Sequence, residues 1–260
     1  MARKTLQRTL RRSESAGRIE HHLLHGILGG CIEETQVCRC RIFENDITIL
    51  WSLGRNNHSL NVCGLIMAKR VFFSFYYEDV KTFRANVVRN HWLTKKDSQD
   101  AGFFDASIWE DAKRHGNDAV KRLINSNLEN TSVTCALIGS QTWSRPWVRY
   151  EILKSYDRDN LLFGVHINSI KDKNQQTFFH GPNVFDYLGF IISADGSTLT
   201  YYEHDGTDWK VYNELPPKRL TGIDRRHWGK GFKLSNWVPI YDWVSGDGYN
   251  NFSIWVDNAK

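Results

Sequence analysis

No stretch of this 260-residue chain holds the ~20 consecutive apolar residues that a membrane-spanning helix requires; even Ile47 to Leu53 is cut by Thr48 and Ser52. Nor is there a glycine-rich phosphate fingerprint. Neither the P-loop pattern nor G-x-G-x-x-G follows any strand-like run, which argues against a kinase, an NTPase or a hydride-transferring dehydrogenase. Charge of one sign is in small excess, 34 Lys and Arg against 29 Asp and Glu for a net +5. Apart from the cluster Arg3, Lys4, Arg8, Arg11 and Arg12 the cations are scattered, so no nucleic-acid partner is expected. Cysteine is sparse too, with Cys31, Cys38, Cys40 and Cys63 before Met67 and Cys135 alone after it. The first three, even combined with His21, His22 and His25, match no paired zinc-ligand spacing and read as reduced thiols. His91, His115, His166 and His180 also lack metal-ligand spacing. The expectation is a soluble, cytoplasmic protein with no cofactor and no metal.

What is present changes character at Ile66–Met67. Residues 1–66 mix Arg, Ser, His, Gly and Cys without sustained periodicity, and their short apolar pieces assemble into no packable layer. Met67-Ala68-Lys69-Arg70 then opens directly into the apolar run Val71, Phe72, Phe73, Ser74, Phe75, as a translation start would. Residues 1–66 are therefore expected to be a weakly structured extension, either an artefactual upstream start or a small appendage, and residues 67–260 the domain.

Within that domain, strand and helix patterns alternate. Val71 to Tyr76 reads as a buried parallel strand. Asp79 is placed to cap a helix carrying Val80, Phe83, Val87, Val88 and Trp92 at helical spacing, and a polar loop spans Thr94 to Phe104. Ser107 to Glu110 has the form of a capping box, Gly116 closes that helix, and Asn117 opens another with Val120, Leu123, Ile124 and Leu128 on one face. Val133 to Ile138 is a second strand, Pro146 starts a helix, and Leu161 to Ile167 is a third strand. The pattern predicts a doubly wound α/β fold with a mostly parallel sheet. The tail changes to Leu188–Ser193, Leu199–His204 and Trp209–Tyr212, joined by the turn signals Asp195-Gly196 and Asp205-Gly206, an antiparallel extension. Trp228, Trp237, Trp243 and Trp255 are expected to pack loops onto it.

Ligands of such sheets bind beyond the carboxyl ends of the strands. The informative segment there is Gly139 to Ile152. Trp147 and Glu151, four residues apart, share one helix face, with Ser144 at the helix entrance on the same side. On chemistry alone this is either a carboxylate beside an aromatic wall of a pocket, or a helix whose Trp packs inward while Glu151 is solvated or pairs with Lys154 or Arg149.

Phe72-Phe73-Ser74-Phe75, Asn130 to Thr134 leading to Leu137-Ile138-Gly139-Ser140, and Ser144-x-x-Trp147-x-x-x-Glu151 resemble the successive signature regions of TIR domains. Gly102-Phe103-Phe104-Asp105 with Trp109-Glu110, and Trp147 to Ile152, resemble more narrowly the TIR-like family of the Thoeris B proteins, from about Lys69 onward. The resemblance implies a flavodoxin-like fold and an enzyme that cleaves the nicotinamide–ribose bond of NAD. Its product would be a linear or cyclic ADP-ribose type of signal in antiphage defence. It implies Glu151 as the catalytic glutamate, Phe73, Ser74 and Phe75 lining the nucleotide pocket with Ser144, Trp147 beside the carboxylate, and Asp105 as a candidate polar contact. The usual TIR loop with an Arg-Asp pair and Pro-Gly is absent, with Phe103-Phe104-Asp105 roughly in its place, so the family's manner of pocket closure and self-association is not carried across with the resemblance. The partners implied are NAD as substrate, an effector reached through the diffusible signal, a phage-derived trigger and a second copy of the chain. The alternatives are a non-catalytic TIR-like interaction module and a nucleotide-binding regulator of receiver-like fold.

Overall fold

The computed structural model describes residues 37–42, 47–52, 70–95, 99–102 and 106–260. Before Met67 the described residues form an antiparallel hairpin of β1 (Val37–Ile42) and β2 (Ile47–Ser52), which the sequence reading does not place. The cysteine and histidine side chains of that region, and Asp105, lie outside the described residues.

The chain then runs through β3 (Arg70–Phe75), α1 (Glu78–Lys81), α2 (Arg84–Leu93), β4 (Gln99–Ala101), α3 (Ala106–Arg114) and α4 (Asn117–Leu128). It continues through β5 (Val133–Ile138), α5 (Pro146–Asp157) and β6 (Leu161–His166). Next come β7 (Leu188–Ile192), β8 (Thr198–His204), β9 (Trp209–Val211), β10 (Lys218–Arg219) and β11 (Gly231–Lys233). The last two elements are β12 (Ile240–Asp242) and α6 (Gly248–Asp257).

Five strands form one parallel sheet in the order β12-β6-β5-β3-β4, and β7 to β11 form a separate antiparallel sheet. The three central strands fall where the apolar runs place them. β4 and β12 do not: one sits inside the expected polar loop, the other inside the aromatic stretch expected to pack loops. Both are three residues long and at the sheet edges, where a strand needs neither a long apolar run nor alternation.

Helices cover both faces, so the sheet is doubly wound. On one side α4, α5 and the antiparallel sheet share a core that includes Phe72, Ile124, Ile152, Phe190 and Tyr201. On the other, α2 and α6 pack a core that includes Val71, Phe73, Val88, Phe163 and Phe252. Alternation along β3 sorts its side chains between the two, Phe72 and Ser74 toward α5, Phe73 toward α6. The single helix expected from Asp79 is broken at Phe83, whose φ of 67° is uncommon for a non-glycine residue. The break lets the buried Arg84 guanidinium donate to the Ile170 and Gln176 carbonyls, both at 2.9 Å, tying α2 to the loop after β6. Helix α3 already begins at Ala106, so Ser107 lies inside it and the expected capping box is not its boundary.

The antiparallel sheet acts as a splint for α5. Near the helix start, Arg149 Nη1 pairs with Glu203 Oε2 at 2.7 Å while its Nε donates to the Trp143 carbonyl at 2.9 Å. At the helix end, the Tyr201 hydroxyl donates to Asp157 Oδ1 at 2.9 Å and Lys218 Nζ to the Asp157 carbonyl at 2.8 Å.

Phe252 joins the layers on the α6 side: it is fully buried, its ring centre 6.1 Å from that of Phe73, 5.5 Å from Trp92 and 5.7 Å from Phe163. Phe252→Ala should cost about 3–5 kcal/mol of folding free energy, read as a lower denaturant midpoint with an unchanged slope.

Candidate active site

The helix that carries Glu151 starts abruptly. Pro146 occupies its first turn and holds the preceding residue, Arg145, in extended backbone at φ −86° and ψ 119°. That conformation sends the Arg145 guanidinium across to the end of β3, where it lies 3.9 Å from the centre of the Tyr76 ring. One turn further on, Glu151 points at the sheet rather than at solvent. Glu151 is 5% exposed, and Ser74, fully buried on the facing pleat of β3, donates its hydroxyl to Glu151 Oε2 at 2.6 Å.

Both alternative partners for this carboxylate are engaged elsewhere, Arg149 with Glu203 and Lys154 with Asp157 at 2.7 Å. Burial therefore dominates, pushing the Glu151 carboxyl up to about 8 against the opposing pull of the Ser74 hydrogen bond. Below Glu151, a polar seam fixes the helix on the sheet. Ser155 Oγ donates to the Glu151 carbonyl at 2.7 Å, and Thr134 Oγ1 donates to Ser155 Oγ at 2.8 Å.

Glu151 lines a cavity of about 240 Å³ at the carboxyl ends of the strands. Phe75, Tyr76 and Tyr77 form the wall contributed by β3 and the turn after it, and Arg145 to Val148 the wall contributed by the start of α5. The third wall is Gly102 with Trp109 and Lys113 of α3. Gly102 has φ 88°, and a side chain there would run into the Phe73 backbone, so β4 can close on β3 only with glycine at this turn.

Of the expected site residues, Phe75, Trp147 and Glu151 meet at this cavity, while Ser74, fully buried, does not line it and reaches the site only through its hydrogen bond to Glu151. Phe73 does not line it: the pleat turns its side chain into the opposite core, stacked on Phe252. Ser144 is exposed at the helix entrance, its hydroxyl donating to the Gln141 carbonyl at 3.0 Å, and it too is absent from the lining. Tyr76 and Tyr77 belong to the segment just beyond the first strand, where ligands of such sheets are expected, whereas Trp109, Lys113 and Arg145 were not anticipated as lining residues. Arg145 had a signal, since the residue before a helix-opening proline at a strand's carboxyl edge is held outside the helix. Asp79, expected as a helix cap, instead tucks under Gly139 at the end of β5, where a side chain on Gly139 would collide with it. Burial raises its carboxyl to about 6, with Arg84 and Arg145 pulling it back.

The sequence of this chain has counterparts among known proteins. Residues 72–172, from β3 to the loop after β6, match the family model described as Thoeris protein ThsB, TIR-like domain. A protein of Bacillus cereus (strain MSX-D12) named "Putative cyclic ADP-D-ribose synthase ThsB1" is 56% identical over 192 residues, 74% of this chain and 100% of that protein. The chain belongs to the Thoeris ThsB family. The matched segment holds every ThsB residue named above around the cavity, while β7 to β12 and α6 lie beyond it. No helix among the described residues of this ThsB-family chain is long and apolar enough to cross a membrane.

The buried acid carries a stability cost with a defined pH window. The folded Glu151 carboxyl keeps its proton to about pH 8 whereas an unperturbed one releases it near 4.5, so the native state holds the extra proton between those limits. Its contribution to stability is full below that window and is lost as pH rises through it. Glu151→Gln, which still accepts from Ser74, should melt higher than the parent near pH 8 by about 1–3 kcal/mol, with the gap closing toward pH 5. Thermal melts across that range check it; an identical gap at both ends would mean that the carboxyl is not the cause.

Proposed function

We propose that this protein cleaves the nicotinamide–ribose bond of NAD and releases an ADP-ribose type of nucleotide signal, with Glu151 as the catalytic group. The observation that carries the reading is a carboxylate, shielded from solvent and hydrogen-bonded among the described residues by Ser74 alone, set in an aromatic cavity at the carboxyl ends of a parallel sheet. The name of the Bacillus cereus relative supports it and favours a cyclic product.

The chemistry suits that geometry. The bond from C1′ of the ribose to the nicotinamide nitrogen breaks with its electron pair going to nicotinamide, which leaves as a neutral molecule from a cationic ring. The reaction thus needs little acid catalysis and chiefly needs stabilisation of an oxocarbenium-like ribose. An ionised Glu151 at the ribose supplies it, and a buried site makes that charge count for more than it would in water. The arriving nicotinamide cation draws the Glu151 carboxyl down from its raised value, so substrate itself ionises the catalytic group. Trp147 offers an aromatic face to the same ring. In this reading the signal reaches a separate effector by diffusion, and a phage component sets the enzyme to work.

Glu151→Gln should lower nicotinamide release by roughly 10²–10³, the equivalent of about 3–4 kcal/mol of barrier, with the circular dichroism spectrum unchanged. Release is to be followed by chromatography and mass spectrometry both on purified protein and in phage-challenged cells. Equal release by variant and parent would remove Glu151 from the mechanism, and no release by either in both settings would leave the interaction-module reading standing. For an active enzyme kcat/KM should climb with pH through the free carboxyl's value of about 8. Ser74→Ala removes the bond that favours the ionised form and should move that limb to higher pH.

A further inference from the structure

Glu151 and Trp147 account for one end of a dinucleotide, and the same cavity is lined by further side chains from α3 and the start of α5. Trp109 and Lys113 stand four residues apart on α3, hence on one helix face. The Trp109 indole meets Trp147 edge to face, with centres 6.5 Å apart and planes at 85°, so the two rings are adjoining walls rather than one stack. Lys113 Nζ lies 5.7 Å from the centre of the Trp109 ring and 3.1 Å from exposed Glu110. At the start of α5 the Arg145 guanidinium lies 3.9 Å from the centre of the Tyr76 ring, and its buried Nε has no hydrogen-bond partner among the described residues.

We propose that Trp109, Lys113 and Arg145 form a subsite for the adenosine diphosphate half of the dinucleotide. Trp109 is then the specificity-determining residue that holds this half folded back over Trp147. The inference rests on the NAD reading above for its product but not for its ligand. Two cations from different walls of one cavity match a diphosphate, and a partly exposed indole offers a purine the aromatic face on which bases stack without sequence preference. The spacing forces the fold: with neighbouring indoles 6.5 Å apart, the nicotinamide end and the adenine end can occupy both only if the diphosphate bends between them.

Bending decides the fate of the ribosyl cation. Once the bond to nicotinamide has broken, a hydroxyl oxygen or ring nitrogen of the folded adenosine half forms the new bond to C1′. The proton lost from that hydroxyl, or from the exocyclic amine conjugated to that nitrogen, passes to the Glu151 carboxylate and then to solvent. In hydrolysis a water oxygen forms the bond instead and gives up its proton by the same route. A tethered nucleophile in contact outcompetes free water because its translational entropy is already lost.

The test uses the full chain with Trp109→Ala, Trp109→Phe and Lys113→Gln, and with ADP and nicotinamide riboside as separate calorimetric probes. Trp109→Ala should weaken ADP roughly tenfold and Lys113→Gln several-fold, each by more than it weakens the riboside, with Trp109→Phe close to the parent. In turnover, the ratio of cyclic to linear product per nicotinamide released should fall roughly tenfold in Trp109→Ala and recover in Trp109→Phe, whatever the change in overall rate. Equal losses for both probes, or an unchanged product ratio, would overturn the proposal. If Trp109→Ala fails to fold, Lys113→Gln carries the same comparison. Trp109-dependent ADP binding without nicotinamide release from the parent would leave the subsite standing and sink the NAD reading instead.

Discussion

A carboxyl group kept from water by a helix on one side and a strand on the other is held, among the described residues, by a single hydrogen bond, from Ser74 to Glu151. An ionised acid in such a place is costly unless paired, and no cation among the described residues is paired with it: the basic side chains nearest along α5, Arg149 and Lys154, are both committed to other acids. The surrounding structure is arranged so that this exception is tolerated. Pro146 fixes where the helix begins, the Ser155–Thr134 contact fixes how it lies on β5, and the splint from β8 and β10 fixes both its ends. Rigid support is what keeps an acid desolvated; a looser helix would let water in and return the carboxyl to its ordinary behaviour.

The two halves of the protein thus divide the work. The parallel sheet places residues at its carboxyl edge, as doubly wound sheets do, and the matched family segment ends soon after β6. The antiparallel sheet adds no residue to the cavity lining, yet its Glu203, Tyr201 and Lys218 determine the stiffness of the helix that does.

Much of this was legible in the residues. The three central strands, the helices at Asn117 and Pro146, and the pairing of Trp147 with Glu151 follow from apolar runs and from spacing of four, signals that survive without tertiary context. The failures share a cause. β4 and β12 are short edge strands whose pairing is decided by the neighbour and not by their own pattern, and the break at Phe83 serves a contact of Arg84 nearly a hundred residues away in sequence. Phe73 was misplaced for a different reason: a resemblance names a run of residues, whereas a pleat sends alternate members to opposite faces, and that alternation alone would have separated Phe73 from Ser74. Lys113 and Trp109 carry no local mark of their role, because only the way α3 lies against α5 brings them to the same cavity.

The splint also sets an order in time. A chain emerging from the ribosome has made Ser74 and Glu151 some fifty residues before Glu203, which is followed later by Lys218 and then by β12 and the backbone pair between Leu162 and Lys260. Nascent domains complete themselves as units, at about 5–20 residues per second, so the interval in which the acid-bearing helix exists without its clamps lasts seconds. During that interval the carboxyl is hydrated and its neighbours unfixed. The shielding that raises the Glu151 carboxyl is therefore acquired only after Glu203 and Lys218 have followed the helix out of the ribosome.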